Sequence, residues 1–287
     1  MTSPINMKIG KTVIIGGDGR QKAMAEYLNS CGVACVCCCA ADTDIEQKIN
    51  GAKCVIFPLP LTKDGINIYD TGEKGTAPID SVLKLLKPEQ KIFAGMVSAA
   101  AGERFASHGL TFTDYFKDEA LTVYNAALTA EGLLKTVLDN TQRSLSRRVL
   151  ITGYGRVAKA AARLFSACSA KVTVAVRNEK SRAQAVCDGF EAIFYSQLKS
   201  RIFIYDIIIN TVPAQVIDKS LVRSVRHDAL MLEAASAPYG IDRAAAEDYG
   251  KKLILCPGLP GRYKPVSAGR IIADTVIRLY GEEHTKW

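Results

Sequence analysis

The sequence has no apolar run long enough to cross a membrane. Its longest stretch without a charged residue, Tyr27–Ala41, is about 15 residues long and includes Asn, Ser and Gly, whereas a spanning helix needs roughly 20 apolar residues. Residues 1–11 also lack the apolar core of a secretory signal. These absences predict a cytoplasmic protein that does not interact with membranes.

A basic stripe interleaved with aromatic residues is also missing. The chain of 287 residues carries a net charge of +8 and has a pI near 9.0, which suits nucleic acid, anionic membrane surfaces or small anionic ligands. Its basic residues are scattered, however, and the tightest cluster is the short segment Ser146-Arg147-Arg148. The pattern therefore disfavours a nucleic-acid partner.

A second cysteine pair of zinc-site spacing is missing outside the run Cys31–Cys39, although zinc sites usually need two such pairs. The chain has nine cysteines, and four of them fall between Cys35 and Cys39. Alternate side chains of a β-strand share a face, so Cys35, Cys37 and Cys39 are expected to lie on one side of a strand. We interpret them as small buried side chains in a reduced compartment and predict no metal site.

Short apolar runs rich in β-branched residues alternate with helical patterns along the chain. This alternation is typical of βαβ units and of parallel sheets covered on both faces. Strands are expected at Thr12–Gly16, Val33–Cys39, Lys53–Phe57, Ile92–Met96, Leu110–Thr113, Val149–Thr152, Lys171–Val176, Glu191–Phe194, Asp206–Asn210, Ala229–Glu233 and Lys252–Cys256. The predicted fold class is α/β, with two doubly wound parallel-sheet (Rossmann-like) domains joined by a long helix and a returning C-terminal helix.

Two long helical patterns define the predicted domain limits. Asp118–Thr141 has apolar residues at helical spacing between the two halves, and Ser267–Tyr280 has them near the end of the chain. We expect a first domain over residues 1–117, a linking helix over 118–144, a cofactor domain over 145–265 and a returning C-terminal helix over 266–287. Two such connections predict a cleft between domains that hinge readily.

A dinucleotide fingerprint opens the second half. Val149–Thr152 reads as a strand, and the pattern G-x-G-x-x-A and an alanine-rich helix follow it. Gly153 would allow the tight turn, Gly155 would let the backbone approach a pyrophosphate, and Ala158 would let the helix pack closely. The pyrophosphate would bind free N–H groups at the helix start. The contacts expected from this turn are Gly153, Tyr154, Gly155, Arg156 and Val157.

The end of the next strand favours NADP over NAD. An NAD site carries an acid about 20 residues after the glycines, which binds the ribose hydroxyls. Here the strand ends in Arg177-Asn178, with Arg182 one helical turn further on. A guanidinium binds a 2′-phosphate through two parallel hydrogen bonds, whereas a carboxylate repels it. The alternatives are that Arg177 is a solvated loop residue and that Glu179 acts as the missing acid.

A later strand end adds further cofactor candidates. Asp206–Asn210 is expected to be a strand, and it runs into Asn210-Thr211-Val212-Pro213. Ligands of open α/β sheets bind along the carboxyl ends of the strands. We therefore expect these four residues to line the path of the cofactor, and an ordinary turn is the alternative.

The first half also opens with a glycine-rich turn between a strand and a helix. It reads Gly16-Gly17-Asp18-Gly19-Arg20-Gln21-Lys22, and the bulky Lys22 stands where a dinucleotide fingerprint needs a small residue. A small carboxylate bound by the helix N-terminus and Arg20, with Asp18 orienting Arg20, fits this turn better. The alternative is a structural turn with an exposed arginine.

A second group of substrate candidates follows the last predicted strand. Residues 256–270 contain two Pro-Gly pairs and a further proline, which predict a stiff, shaped loop. The loop carries Arg262, Tyr263 and Lys264 and enters the last helix at Ser267, a suitable N-cap. We expect Arg262, Lys264 and Ser267 to bind substrate, and a purely structural loop is the alternative.

Histidine is scarce, and none of the three residues stands at a predicted cleft edge: His108, His227 and His284. A 2-hydroxyacid dehydrogenase of the same two-domain plan would place a histidine acid/base, paired with a carboxylate, late in the cofactor domain. Glu233 lies at a strand end there without a histidine. The sequence therefore argues against ketone reduction driven by an imidazole, and it identifies no catalytic residue.

These motifs resemble those of the dipicolinate synthase A-subunit family over nearly the whole chain. The generic glycine fingerprint contributes little to the resemblance, whereas the first and last blocks together are specific. The blocks are Gly16–Gln21, Val123–Asn125, Thr129–Gly132, Gly153–Arg156, Ile209–Pro213, Ala235–Asp242 and Pro257–Gly261, with Pro265 and Ser267–Gly269. Arg262-Tyr263-Lys264 is less typical of the family than the Pro-Gly frame around it.

The resemblance implies an NADP-dependent oxidation of dihydrodipicolinate to dipicolinate (pyridine-2,6-dicarboxylate) during sporulation. It also implies a second, flavoprotein-like subunit, the B subunit of dipicolinate synthase, in the mother cell of a spore-forming bacterium. The residues are compatible with this reaction, because the ring carries two carboxylates and both halves offer cations. Aromatisation supplies driving force, so a strong general base is unnecessary. A homo-oligomer is the default expectation.

Two other functions stay open at this point. One is another two-domain NAD(P)-dependent dehydrogenase that acts on amino or hydroxy acids. The other is a regulatory NADP-binding subunit with no chemistry of its own. Binding of NADPH without turnover, even with the second subunit, would favour the regulatory function.

Overall fold

The computed structural model describes residues 9–142, 144 and 147–282. Leu145, Ser146 and His284, which entered the predictions above, lie outside the described residues. The chain divides into two compact units. The first unit runs to Tyr124 and resumes at Lys264, and the second is Asn125–Tyr263.

The first unit is built on a parallel sheet of five strands. The strands are β1 (Thr12–Ile15), β2 (Cys35–Cys38), β3 (Cys54–Ile56), β4 (Lys91–Ala94) and β5 (Thr113–Asp114). The helices between them are α1 (Gly19–Ser30), α2 (Ile45–Ile49), α3 (Ile79–Leu83) and α4 (Ala99–Ser107). Across the sheet the order is β2-β1-β3-β4-β5, and every neighbouring pair is parallel. The order reverses between β1 and β3, where such sheets have a crevice at their carboxyl edge.

The second unit is built on a parallel sheet of six strands. The strands are β6 (Arg148–Thr152), β7 (Lys171–Val176), β8 (Glu191–Phe194), β9 (Ile207–Asn210), β10 (Leu230–Glu233) and β11 (Lys252–Leu255). The helices are α6 (Arg156–Ala167), α7 (Glu179–Cys187), α8 (Lys219–Ser224), α9 (Arg243–Asp248) and α10 (Leu259–Tyr263). The order is β11-β10-β9-β6-β7-β8, and it reverses between β6 and β9. The predicted α/β class with two parallel-sheet domains is confirmed.

Two long helices complete the chain. α5 (Glu119–Asn140) contains the division between the units, and α11 (Pro265–Glu282) belongs to the first unit. α11 packs closely on α1 because Gly269 has no side chain: a Cβ there would lie 2.9 Å from the backbone nitrogen of Met24. None of the helices in the described ranges combines the length and apolar character that crossing a bilayer requires.

The predicted strand at Leu110–Thr113 is wrong over most of its length, since β5 begins at Thr113. The backbone N–H of Leu110 donates to Phe105 O at 2.9 Å. This hydrogen bond closes the C-terminal end of α4 over the turn at residues 108–109, and residues 110–112 form an irregular connection before the chain enters the sheet.

The cysteine-rich strand β2 lies at the edge of its sheet. Cys35 and Cys38 are buried, whereas Cys37 is exposed and Cys39 is half-buried, so the prediction that these cysteines are buried is wrong for Cys37. An edge strand leaves part of its length uncovered, and alternation alone does not decide which residues are buried. Burial raises the pKa of Cys35 to about 12. The described residues contain no group of three or more His, Cys, Asp or Glu side chains placed to hold a metal.

Candidate functional site

The glycine turn between β6 and α6 forms an open helix start. Gly153 has a φ of +84°, and a Cβ there would lie 2.8 Å from Val212 Cγ2, so only glycine fits this turn. Gly155 is the N-cap residue of α6 and supplies no side-chain cap. A Cβ at Gly155 would meet no atom within 4 Å. The N-cap residue of α6 therefore supplies no side-chain acceptor, and the helix starts beside open space, which suits an anionic ligand.

Small side chains let α6 approach the sheet. Ala158, Ala161 and Ala162 are fully buried in the same cluster as Val149 and Ile151 of β6. Ala158 stands where the fingerprint needs a small residue, and its burial brings the start of α6 to the carboxyl end of β6.

The other side chains of this turn differ in their accessibility. Tyr154 is buried, and its hydroxyl donates to Asp188 Oδ2 at 2.6 Å. Burial, followed by this hydrogen bond, raises the pKa of Tyr154. Arg156 is exposed at the helix start, and Val157 is half-buried. Tyr154 can therefore offer a ligand only its backbone.

The end of β7 carries a cation that the fold does not use. Arg177 is exposed and makes no hydrogen bond or ion pair with another described residue. Asn178 caps α7, because its Oδ1 accepts from Ser181 N at 2.9 Å. Arg182, by contrast, donates to both oxygens of Glu179 at 2.8 to 3.1 Å. Of the two arginines, Arg177 is therefore the one that is available to a ligand.

Tyr195, which was not predicted from the sequence, lies beside Arg177. Burial raises the pKa of Tyr195, and the charge of Arg177 and the neighbouring backbone of Gly153 act in the opposite direction. Tyr195 therefore connects the end of β7 with the glycine turn after β6. It begins a short 3-10 helix, Tyr195–Ser200, after β8, and no motif in the sequence marks that position.

The side chain of Asn210 is buried at the carboxyl edge of the sheet, where other protein groups bind it. Its Oδ1 accepts from Thr152 Oγ1 at 2.5 Å, and its Nδ2 donates to Val212 O at 2.9 Å and to Glu233 Oε1 at 2.6 Å. These bonds tie the carboxyl ends of β6, β9 and β10 together. Asn210 thus holds the carboxyl ends of these three strands in position.

Thr211 and Val212 lie against the glycine turn. Thr211 Oγ1 donates to Thr152 O at 2.7 Å, and both side chains crowd the position of a Cβ at Gly153. Both residues are half-buried, whereas Pro213 is exposed. Thr211 and Val212 therefore border the crevice between β6 and β9, together with the start of α6.

Glu233 ends β10 with its carboxylate fully bound. The residue is only 1% exposed. Its Oε1 accepts from Asn210 Nδ2 and from Ala235 N at 3.1 Å, and its Oε2 accepts from Gly240 N and Ile241 N, both at 2.9 Å. Four donors satisfy this carboxylate. Glu233 therefore fixes the loop over residues 235–241 and is not free to accept a proton from a substrate.

Replacing Glu233 by glutamine is expected to lower the free energy of unfolding by about 1–3 kcal/mol. The amide has nearly the same shape, but its NH₂ end would face donors that need an acceptor. Urea unfolding measures the loss. Glu247→Gln, at an exposed position of α9, is the control, with an expected change below about 0.5 kcal/mol. Equal unfolding free energies for the two variants would contradict this role of Glu233.

The half-buried Asp18 and the buried Arg20 form an ion pair at the start of α1. Asp18 is the N-cap residue and accepts from Arg20 N at 3.0 Å. The Arg20 guanidinium donates to both carboxylate oxygens of Asp18 at 2.9 Å and also to Leu59 O. Burial opposes ionisation of Asp18, but the hydrogen bonds and charge of Arg20 lower its pKa. Arg20 is only 6% exposed, so it is not a solvated arginine.

Tyr69 and Lys63 extend this pair, and neither was predicted from the sequence. The Tyr69 hydroxyl donates to Asp18 Oδ2 at 3.2 Å. The Lys63 Nζ lies 3.8 Å from the centroid of the Tyr69 ring. Both residues come from the segment between β3 and α3, which is remote from Arg20 in sequence. The carboxyl ends of the adjacent strands β1 and β3 bring the four residues together.

The second group of substrate candidates is divided between the two units, so neither unit contains all three of Arg262, Lys264 and Ser267. Arg262 is exposed in the last turn of α10, in the second unit, and its guanidinium lies 5.4 Å from the Tyr263 ring. Lys264 and Ser267 belong to the first unit. The predicted N-cap role of Ser267 is wrong, because α11 begins at Pro265. Proline is tolerated in a first helical turn, where N–H groups have no intrahelical partner.

Two comparisons with known proteins, one with family models and one with individual relatives, gave the same result. Residues 11–116 match the family model of the N-terminal domain of the dipicolinate synthase A subunit. The A subunit of dipicolinate synthase from Bacillus subtilis (strain 168) is 28% identical over 287 residues, which cover 95% of this chain and 96% of the relative. The chain resembles the A subunit of dipicolinate synthase. The resemblance predicted from the motifs is thereby confirmed.

Solved structures extend this likeness to the fold. The crystal structure of dipicolinate synthase, A chain, from Bacillus subtilis matches with a TM-score of 0.83 and 24% identity, covering 98% of this chain and 99% of that chain. The transhydrogenase of Sinorhizobium meliloti matches with a TM-score of 0.69 and 14% identity, covering 94% and 93%. The dipicolinate synthase protein and this transhydrogenase therefore share the fold of the present chain.

Proposed function

We propose that the protein is an NADP-dependent oxidoreductase that forms dipicolinate from dihydrodipicolinate. The observation that carries this proposal is the start of α6, which has no side-chain cap and lies near Arg177. No described residue pairs with Arg177, and the chain resembles the A subunit of dipicolinate synthase. A dinucleotide with a 2′-phosphate needs both features, since its pyrophosphate requires free N–H groups and its extra phosphate requires a cation.

In this proposal the second unit binds the cofactor. The backbone of Gly153–Val157 holds the pyrophosphate, and Arg177 binds the 2′-phosphate beside Asn178. Arg182 contributes less, because Glu179 already offsets its charge. The rest of the cofactor's path is bordered by Thr211, Val212 and Pro213. Asn210 fixes the strand ends behind these residues. When bound, NADP supplies the acceptor for the hydride.

The first unit supplies the proposed substrate ligands Asp18 and Arg20. Arg20 donates to a ring carboxylate, and Asp18 holds the guanidinium in a fixed orientation through two parallel hydrogen bonds. Arg262, Lys264 and Ser267 are proposed as further ligands of the dicarboxylate, since two cations and a hydroxyl suit it chemically.

Oxidation of a dihydropyridine ring removes a hydride and a proton and leaves an aromatic product. Aromatisation favours the product, so the chain has to hold and orient the ring more than to supply a strong base. Glu233 is not that base, because four donors occupy its carboxylate. We therefore expect the proton to pass to solvent or to a group of a second subunit.

We propose a second, flavoprotein-like subunit, the B subunit of dipicolinate synthase, as the partner of this chain. The resemblance to a protein named as a subunit supports a multi-subunit enzyme. The proposed place of action is the cytoplasm of the mother cell during sporulation, and a homo-oligomer of the chain is the default assembly.

The purified chain is expected to bind NADPH alone but to oxidise dihydrodipicolinate efficiently only with the second subunit. The measurement is the absorbance of reduced nicotinamide after freshly made dihydrodipicolinate is added to the chain and NADP⁺, with and without that subunit. Turnover of amino or hydroxy acids in place of dihydrodipicolinate would contradict the proposed substrate. Full activity of the chain alone would contradict the need for a partner.

A further inference from the structure

We propose that Lys63 and the unpaired nitrogen of Arg20 form a carboxylate-binding subsite in the first unit, positioned by Tyr69. The ligand would be a ring carboxylate of a pyridine or dihydropyridine. The choice of this ligand rests on the proposed function, whereas the subsite itself rests on the geometry of the residues after β1 and β3.

The subsite lies where the strand order of the first sheet reverses. Arg20 follows β1, and Lys63 and Tyr69 follow β3, which is the neighbour of β1 on the side opposite β2. Crossover connections leave β1 and β3 toward opposite faces of such a sheet, and the crevice between them is where open α/β sheets bind ligands. The position alone therefore marks these residues as candidates for ligand binding.

Arg20 has one donor group left for a ligand. Its Nε and Nη2 are bound to Asp18, and Nη2 also donates to Leu59 O. Its Nη1 makes no hydrogen bond with a described residue, and it is not a buried atom. The Arg20 side chain, which is only 6% exposed, therefore presents one nitrogen in a fixed position, Nη1, at the surface.

Binding of a carboxylate at this subsite needs the positive charge of Lys63. Asp18 offsets the charge of Arg20, so this pair provides hydrogen bonds but almost no net attraction for an anion. Lys63 makes no ion pair with a described residue and adds an uncompensated positive charge. A carboxylate held by Arg20 Nη1 would gain its net electrostatic attraction from Lys63.

Tyr69 links the two cations. Its ring lies under the Lys63 ammonium at 3.8 Å, and its hydroxyl donates to Asp18 at 3.2 Å. Burial, followed by the charge of Asp18, raises the pKa of Tyr69, so the hydroxyl keeps its proton and stays a donor. Tyr69 therefore acts as a positioning residue, because it orients Lys63 and Asp18 relative to each other.

Among the described residues, neither nearby carboxylate, Asp64 or Asp70, forms an ion pair with Lys63. Asp64 accepts from Ile66 N at 2.8 Å and from Asn67 N at 2.7 Å, which fixes the turn that carries Lys63. Asp70 accepts from Ala40 N and Gly72 N, both at 2.8 Å. Asp64 is thus engaged by the backbone of its own turn, and Asp70 by backbone donors of its own segment and of the turn after β2.

Calorimetric titration of the NADP-loaded full chain with dipicolinate tests the subsite. Lys63→Gln is expected to weaken dipicolinate binding by about ten- to a hundredfold. Tyr69→Phe, which keeps the ring under Lys63 but loses the bond to Asp18, should give a smaller loss. Pyridine-2,6-dicarboxamide, a neutral ligand of similar shape, should bind the native chain and Lys63→Gln equally, because only the charge is lost. NADPH affinity should not change.

Lys84→Gln is the matched control, since Lys84 is exposed at the end of α3 in the same unit. It should bind dipicolinate as the native chain does. Equal dipicolinate affinity of Lys63→Gln and the native chain would overturn the subsite and leave the proposed function untouched. Binding that depends on Lys63, without any turnover even when the second subunit is added, would support the subsite and count against the proposed oxidation.

Discussion

Replacing Gly155 by valine is expected to abolish NADPH binding. The glycine has an ordinary negative φ of −82°, and a Cβ there meets no atom within 4 Å, so valine fits the folded chain without a clash. Its two methyl groups would instead fill the space beside the first N–H groups of α6, where we place the pyrophosphate. Fluorescence titration with NADPH measures the loss.

Thermal unfolding separates this effect from misfolding. Gly155→Val should unfold close to the native temperature, whereas Gly153→Ala should lose stability, because Gly153 needs a positive φ and is crowded by Val212. Gly155→Ala should bind NADPH with an intermediate affinity. Tight NADPH binding by a folded Gly155→Val would show that the cofactor lies elsewhere.

Replacing Arg177 by aspartate is expected to shift the cofactor preference from NADP toward NAD. Losing one charge-assisted phosphate contact costs about ten- to a hundredfold in NADP affinity, and the new carboxylate can accept from ribose hydroxyls of NAD. Parallel titrations of the native chain and the variant with NADPH and NADH measure the change in the affinity ratio.

Arg223→Asp is the matched control, because Arg223 is exposed in the last turn of α8 in the same unit. It introduces the same change of charge and should leave the affinity ratio unaltered. Arg182→Gln should have a smaller effect than Arg177→Asp, since Glu179 already binds Arg182. A native chain with equal affinity for NADPH and NADH would rule out the role given to Arg177.

Local patterns were sufficient to predict most of the fold. The strand at Lys171–Val176 coincides with β7, because a continuous run of apolar and β-branched residues has few other stable environments. The order of strands across each sheet was not predicted, since it depends on how helices cover the sheet. Leu110–Thr113 shows a further limit: its composition suits a strand, but a single backbone bond to α4 decides its conformation.

The same distinction applies to the candidate site. The glycine turn at Gly153 and Gly155 was predicted because all of its requirements lie within one short segment. Lys63 and Tyr69 were not, because only the pairing of β1 with β3 brings them to Arg20. The hydrogen bond between Asn210 and Glu233 was likewise not predicted, because Glu233 belongs to another strand and no local pattern connects the two residues.

The division of the first unit along the chain has a consequence for biosynthesis. Its residues up to Tyr124 leave the ribosome before the second unit, whereas α11, which contributes Ile272, Val276 and Ile277 to the buried cluster of β1 and α1, leaves it after the second unit. The second unit is continuous and can fold as soon as Tyr263 has emerged. The apolar surface of the first unit that α11 covers therefore stays exposed on the nascent chain until α11 has emerged, and it is prone to aggregation during that time.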